Sequence, residues 1–280
     1  MNILKTTMQA VVKQPLILVI IASIMLAAAI FNAFIPLVAM IVGVINMAGG
    51  GFFDSVLSIV HIVTDPDNIP TILILLAMLT GIGSVGIGLL LPGFLLLVGD
   101  GIERKGGRKK GLLREGIKKY FFSFFPMALL TALASLLLAA FLLISSVPAI
   151  IVTRAAMTTK PDLLIAAIFL DIVTIGVFFM CLSFFSAYIY MWFIAASTGV
   201  EKPFRTGKAI ADRKFWNLAL GLLIFDIVFV IVIYLIYSFD SQILRYVMGW
   251  VFTTAFFTTL AVYLVRFYRS PLHTGNAKPD

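Results

Sequence analysis

Cysteine is almost missing from this sequence. Cys181 is the single one in 280 residues, which excludes an internal disulfide framework and any thiolate metal cluster within one chain. Histidine is nearly as scarce: only His61 and His273 occur, the latter in a polar tail. Charge is also in short supply. Only 12% of residues are charged, against about a quarter in soluble domains. The sequence contains no HExxH, no GxSxG, no Cys–His pair and no cluster of carboxylates with lysine. It therefore presents no catalytic motif and implies no cofactor or metal.

What is abundant is apolar surface. Hydrophobic residues make up 61% of the chain, too many for a water-soluble fold to cover. They gather in runs longer than about 18 residues, enough to cross a hydrocarbon core of about 30 Å. Backbone polar groups there must bond within the segment. The runs do not alternate apolar and polar residues, so helices are expected rather than a barrel. The expected fold class is an all-α polytopic membrane bundle of six transmembrane helices, with short amphipathic interfacial helices. The spans fall at Pro15–Ile45, Pro70–Val98, Tyr120–Val147, Pro161–Ala196, Phe215–Ser238 and Ser241–Phe267. The first is expected to be retained, because it outruns a signal-peptide core and lacks a small-residue cleavage site. Kinks are expected at Pro36 and at Pro92–Gly93, where proline removes a helical hydrogen bond.

The net charge of +8 is unevenly placed. With the N-terminus in the cytoplasm, 18 of the 21 basic residues lie inside, and only Arg154, Lys160 and Arg245 lie outside. The positive-inside rule favours this arrangement, with both termini cytoplasmic in a plasma membrane. The basic residues flank membrane segments, so anionic lipid head groups are the expected partners and nucleic acid is not. Arg108, Lys109, Lys110, Lys118, Lys119, Lys208 and Lys214 are the candidate head-group contacts.

Three segments resemble one another: LKTTMQAVVKQPLILVII, LLREGIKKYFFSFFPMALL and FRTGKAIADRKFWNLALGLL. Arg114 superposes on Arg205, Gly116 on Gly207, Phe124 on Phe215, Phe125 on Trp216 and Leu129 on Leu220. In the first segment Lys13 matches Lys214 when Thr6 is set on Gly207. Each is a basic amphipathic stretch, suited to the interface plane, that leads into a membrane helix. The reading is three pseudo-repeats, at about 1–100, 112–197 and 205–268, within one membrane domain covering 1–270 and followed by a polar tail at 271–280.

This organisation, carried by LLPGFLLLVGDGIERKG, LLREGIKKYF and TGVEKPFRTGKAIADRKFWNLALG, resembles a superfamily of six-helix bacterial and archaeal membrane proteins. That superfamily includes the membrane domain fused to some glycerophosphoryl diester phosphodiesterases. The resemblance covers about Pro92 to Arg269 and implies a membrane fold without catalytic residues. The phosphodiesterase of the fused proteins is a separate soluble barrel, for which this chain has no room.

Polar residues within the apolar runs are the remaining candidates. Asp171 and Asp226 sit in helices adjacent in sequence, and Asn32 falls at outer-leaflet depth. An aspartate there costs about 2.5–3.5 kcal/mol on the insertion scale. The three form a candidate proton or cation site; the alternative is that each aspartate is neutral, bonded to a neighbouring hydroxyl, or reached from outside by Arg154, Lys160 or Arg245. Thr80, Ser84 and Gly88 place a small residue at every fourth position, which suits close helix packing. In the outer loop after Gly49–Gly51, residues Asp54, Ser58, His61 and Asp65 share a helical face. The step from Asp54 to His61 spans about two turns, so the two do not readily share one ion and an interfacial or re-entrant helix is expected.

The expected function is that of a non-catalytic scaffold, lipid-interacting component or accessory subunit of a membrane complex. The alternative is a small-solute or lipid transporter with the aspartates in its path. Topology is directly testable. In a Cys181→Ser background, a cysteine at position 106 should be labelled only from the cytoplasm and one at position 68 only from outside. Labelling of both from one side would refute six spans, because one helix must separate them.

Overall fold

The computed structural model describes residues 3–34, 65–103, 111–158, 160–239 and 241–270. Among them there are helices and no strands. In chain order these are α1 (Ile3–Lys13), α2 (Leu16–Phe34), α3 (Ile69–Glu103), α4 (Leu112–Thr158), α5 (Leu164–Ser197), α6 (Pro203–Arg213), α7 (Phe215–Tyr237) and α8 (Gln242–Arg269). A short 3₁₀ turn, Pro161–Leu163, leads into α5. Among the described residues, α3, α4, α5, α7 and α8 are long and apolar enough to cross a membrane. The pair α1–α2, bent by 98° at its junction, makes a sixth if counted as one span. Large apolar side chains lie bare along these helices, including Leu137 at 74% exposure, Ile165 at 83% and Ile243 at 77%. Lipid is the solvent that accepts such a surface, and the protein is membrane-embedded.

Several boundaries differ from the sequence reading. The basic stretch before the third span was expected to stand apart as an interfacial helix. Instead it is continuous with the span, and α4 runs unbroken from Leu112 through Pro126 and Pro148 to Thr158. The other two junctions do break. Gln14–Pro15 separates α1 from α2, and Lys214, at φ −133°, separates α6 from α7. Pro15 lacks the N–H that would extend the α1 ladder, and the chain turns there, whereas Pro126 and Pro148 are carried within α4. Helix α3 likewise passes through Pro92 and extends beyond Val98 to Glu103. At 1.5 Å per residue, α3 and α5 are about 50 Å long and α4 about 70 Å, well above a hydrocarbon core of about 30 Å. Pro36 and the outer loop carrying Asp54, Ser58 and His61 lie outside the described residues.

The chain divides into two compact units. The first gathers Met1–Ala33, Val85–Ala128 and Ser183–Asp280; the second gathers Phe34–Ser84 and Leu129–Leu182. The first unit holds most of the core, with Ile17, Val98, Phe124, Met191, Leu218 and Val262 all fully buried. Its helices meet at two places where only glycine fits. A Cβ on Gly116 of α4 would stand 2.5 Å from the Cα of Gly93 in α3, and one on Gly93 would stand 2.7 Å from the Leu113 carbonyl oxygen. A Cβ on Gly207 of α6 would stand 2.8 Å from the Met191 carbonyl oxygen in α5. Backbone thus rests on backbone at both crossings.

Helix α7 packs on α8 through aromatic rings. Phe229 and Phe256 have centroids 4.9 Å apart, Phe225 and Tyr263 5.3 Å, and Phe225 and Phe256 5.7 Å. On the other side of α8, the Trp250 indole N–H donates to the Ala22 carbonyl of α2 at 2.9 Å. This gives the indole's polar atom a partner inside an apolar unit.

The glycine crossings set a test. Gly116→Ala and Gly207→Ala should each lower the unfolding free energy in detergent by about 1–3 kcal/mol, the usual cost of overpacking. Gly86→Ala, where an added Cβ meets nothing within 4 Å, should leave it unchanged or raise it. Equal effects at all three positions would show that the crossings are not tight.

Candidate functional site

The polar chemistry of the first unit collects at the helix ends bearing the basic residues. Amphipathic α1 and α6 turn Lys5, Lys13, Arg205, Lys208 and Arg213 outward and bury Ala10, Gly207 and Ala211. The first turns of α4 do the same, with Arg114, Lys118 and Lys119 exposed and Gly116 and Tyr120 buried. Lys119 also lies beside an aromatic ring, its Nζ 5.2 Å from the centroid of Tyr120. Lys214 is half-buried and donates to the Ser270 hydroxyl at 3.3 Å. So Lys118, Lys119 and Lys208 are free to meet a head group, while Lys214 is partly engaged inside the unit. Arg108, Lys109 and Lys110 lie outside the described residues.

Beneath this basic surface lies a polar network that sequence reasoning missed. Gln14, fully buried at the corner between α1 and α2, donates through Nε2 to Asp100 of α3 at 2.6 Å. Arg269 at the end of α8 pairs with Glu103 at 2.5 Å and donates to the Gly99 carbonyl at 3.1 Å, both in α3. Arg266 donates to the Thr6 hydroxyl of α1 at 3.0 Å. The Tyr188 hydroxyl of α5 bonds the Asp212 carboxylate of α6. Arg266 and Arg269 cap the C-terminal end of α8, where cations also suit the helix dipole. In the sequence these residues look like ordinary positive-inside charge and scattered polar neighbours. Only the fold brings positions up to 260 residues apart together.

The intramembrane candidates divide between the units. In the second unit Asp171 of α5 accepts from the Thr153 hydroxyl of α4 at 3.0 and 3.1 Å, one contact to each carboxylate oxygen. Both side chains are half-buried. In the first unit Asp226 of α7 is exposed, and no hydrogen bond reaches it from the described residues. Ile224 and Ile227 beside it are 63% and 49% exposed. Asn32 lies in α2; its side chain is outside what the structure describes. Each aspartate therefore has surroundings of its own: a hydroxyl partner for Asp171, and for Asp226 an apolar helix surface with the Tyr190 phenol of α5 within electrostatic range.

Of the small-residue stripe in α3, Gly88 is buried against the Phe121 ring, where a Cβ would stand 3.2 Å from its edge. Ser84 is also buried, and its hydroxyl has no partner. Thr80 turns its hydroxyl back to the Leu76 carbonyl at 2.7 Å. Cys181 is free. Among the described residues no group of three or more His, Cys, Asp or Glu side chains is placed to hold a metal ion.

The Arg269 fork should carry measurable stability, since hydrogen bonds to charged groups are worth about 1.5–3 kcal/mol. Arg269→Met, which keeps the apolar stem and removes every donor, should cost about that much in detergent unfolding. Glu103→Gln should cost less, because Glu103 is half-exposed and the bond to Gly99 survives. Equal losses from the two variants would assign the effect to the ion pair alone. Comparison with protein-family models, curated proteins and solved structures finds no match to this chain.

Proposed function

We propose that this chain is a non-catalytic multi-pass membrane protein whose basic end faces the cytoplasm and holds anionic lipid head groups. It would serve as a scaffold or accessory subunit of a plasma-membrane complex. The observation that carries this reading is the set of outward lysines and arginines on α1, the start of α4 and α6. All belong to the unit whose remaining helices present bare apolar surface. Cations at the edge of an apolar surface are placed for phosphate-bearing head groups, at about 1 kcal/mol each near an anionic leaflet.

The proposal includes the threefold repeat. What supports it is equivalence of burial at matched positions. Thr6, Gly116 and Gly207 are all buried; so are Ala10, Tyr120 and Ala211; and Ile17, Met127 and Leu218 are 0%, 3% and 0% exposed. The contacts also match. Gly116 rests on α3, Gly207 on α5, and Thr6 is bonded by Arg266 of α8. Each basic stretch thus leans on the helix that ends the preceding repeat, with the first closing on the last. The resemblance to the six-helix superfamily belongs to the same proposal and rests on the motifs around Pro92–Gly93, Gly116 and Gly207.

Charge reversal separates head-group binding from mere insertion. The triple variant Lys118→Glu, Lys119→Glu, Lys208→Glu should lose the preference for phosphatidylglycerol over phosphatidylcholine, read by mass spectrometry of lipid retained in discs. At about 1 kcal/mol per site, the loss should exceed tenfold in relative retention. An unchanged preference would remove the basic end from lipid binding.

A further inference from the structure

On α7, Ala219, Leu223, Asp226, Val230, Ile233 and Tyr237 follow one another at alternating steps of four and three. That is the spacing of a seam between two packed helices. Each residue lies one position, about 100° round the helix, from the face already used against α8. On that face Phe225 and Phe229 meet the rings of α8, and Leu218, Leu222 and Ile236 are buried. The seam is largely open along its outer half, with Val230 65% and Tyr237 62% exposed and Asp226 exposed between the two apolar stretches.

No described residue hydrogen-bonds this carboxyl, though the Tyr190 phenol of α5 lies within electrostatic range, and hydrocarbon offers no donor. Ionisable residues inside a membrane normally face a partner of complementary chemistry. We propose that this seam docks a transmembrane helix of another membrane protein, one that carries a lysine or arginine at the depth of Asp226. The partner's cation pairs with the Asp226 carboxylate while its apolar residues fill the positions above and below. The proposal rests on the accessory-subunit reading and gives it a contact surface.

Charge decides the kind of occupant. On the membrane-length helices every described basic residue lies toward a helix end, so a second copy has no described cation to offer at the depth of Asp226. Two copies meeting through the same seam would set Asp226 against Asp226. A lipid head group stays at the interface, many ångströms from the middle of α7.

The test uses the full chain, acceptor-labelled, in phosphatidylcholine vesicles with donor-labelled synthetic peptides. Three leucine–alanine peptides of transmembrane length carry a central lysine, a central leucine, or a lysine moved to the last turn. Energy transfer should show the central-lysine peptide binding about tenfold more tightly than either other peptide, equivalent to about 1.4 kcal/mol. Asp226→Leu should abolish that preference and Asp226→Asn should weaken it. Equal binding of the three peptides to the unmodified chain, or a preference that survives Asp226→Leu, would overturn the proposal. So would Asp226-dependent energy transfer between two copies of the chain without any peptide preference, which would assign the seam to self-association. The vesicles are neutral, so the result is independent of head-group binding, and failure here leaves the charge-reversal experiment to judge the parent reading.

Discussion

In hydrocarbon an amide that is not bonded to its own chain or a neighbour has no partner at all. Nearly every feature of this molecule descends from that constraint. It forces helices on the apolar runs and carries them through Pro92, Pro126 and Pro148 rather than letting the chain open there. It also confines irregular backbone to the connections. Association between helices then cannot rely on escape from water, because lipid is as apolar as leucine. What remains is contact: backbone on backbone at Gly93–Gly116 and Gly207–Met191, ring on ring between α7 and α8. The few hydrogen bonds that span helices, such as Trp250 to Ala22, gain weight because no water competes for them.

The same constraint sorts polar residues by location. At the helix ends they are plentiful and interlocked, as Gln14 with Asp100 and Arg269 with Glu103 illustrate. Within the apolar lengths, hydroxyls mostly turn back to the preceding turn, as Thr80, Ser145 and Thr258 do. Asp171 follows this economy by accepting from Thr153. Asp226 departs from it as an ionisable group, which makes it the place to look for an external partner.

Much of the fold was legible in the sequence. The last two spans, read at Phe215–Ser238 and Ser241–Phe267, are within two residues of α7 and α8, because Lys214 and the Ser238–Ser241 stretch mark their limits clearly. The third span was read too short. Its basic preface looks amphipathic, and amphipathicity reports which face is wet, not whether the helix stops. The lysines of α4 and α6 were legible as a polar face because their stretches read as basic and amphipathic. The Gln14–Asp100–Arg269 neighbourhood was not. Its members are distant in sequence, and nothing in a single chain's spacing links position 14 with position 100, or 103 with 269.

The bonds from Arg266 to Thr6 and from Trp250 to Ala22 join residues 260 and 228 positions apart. They fasten the first two helices to the last. During synthesis α1 and α2 leave the ribosome long before α8 exists, so they must wait in the bilayer with that flank unoccupied while all the intervening helices are inserted. Removing α8 would therefore release α1 and α2 as well, since both bonds that tie this flank come from one helix.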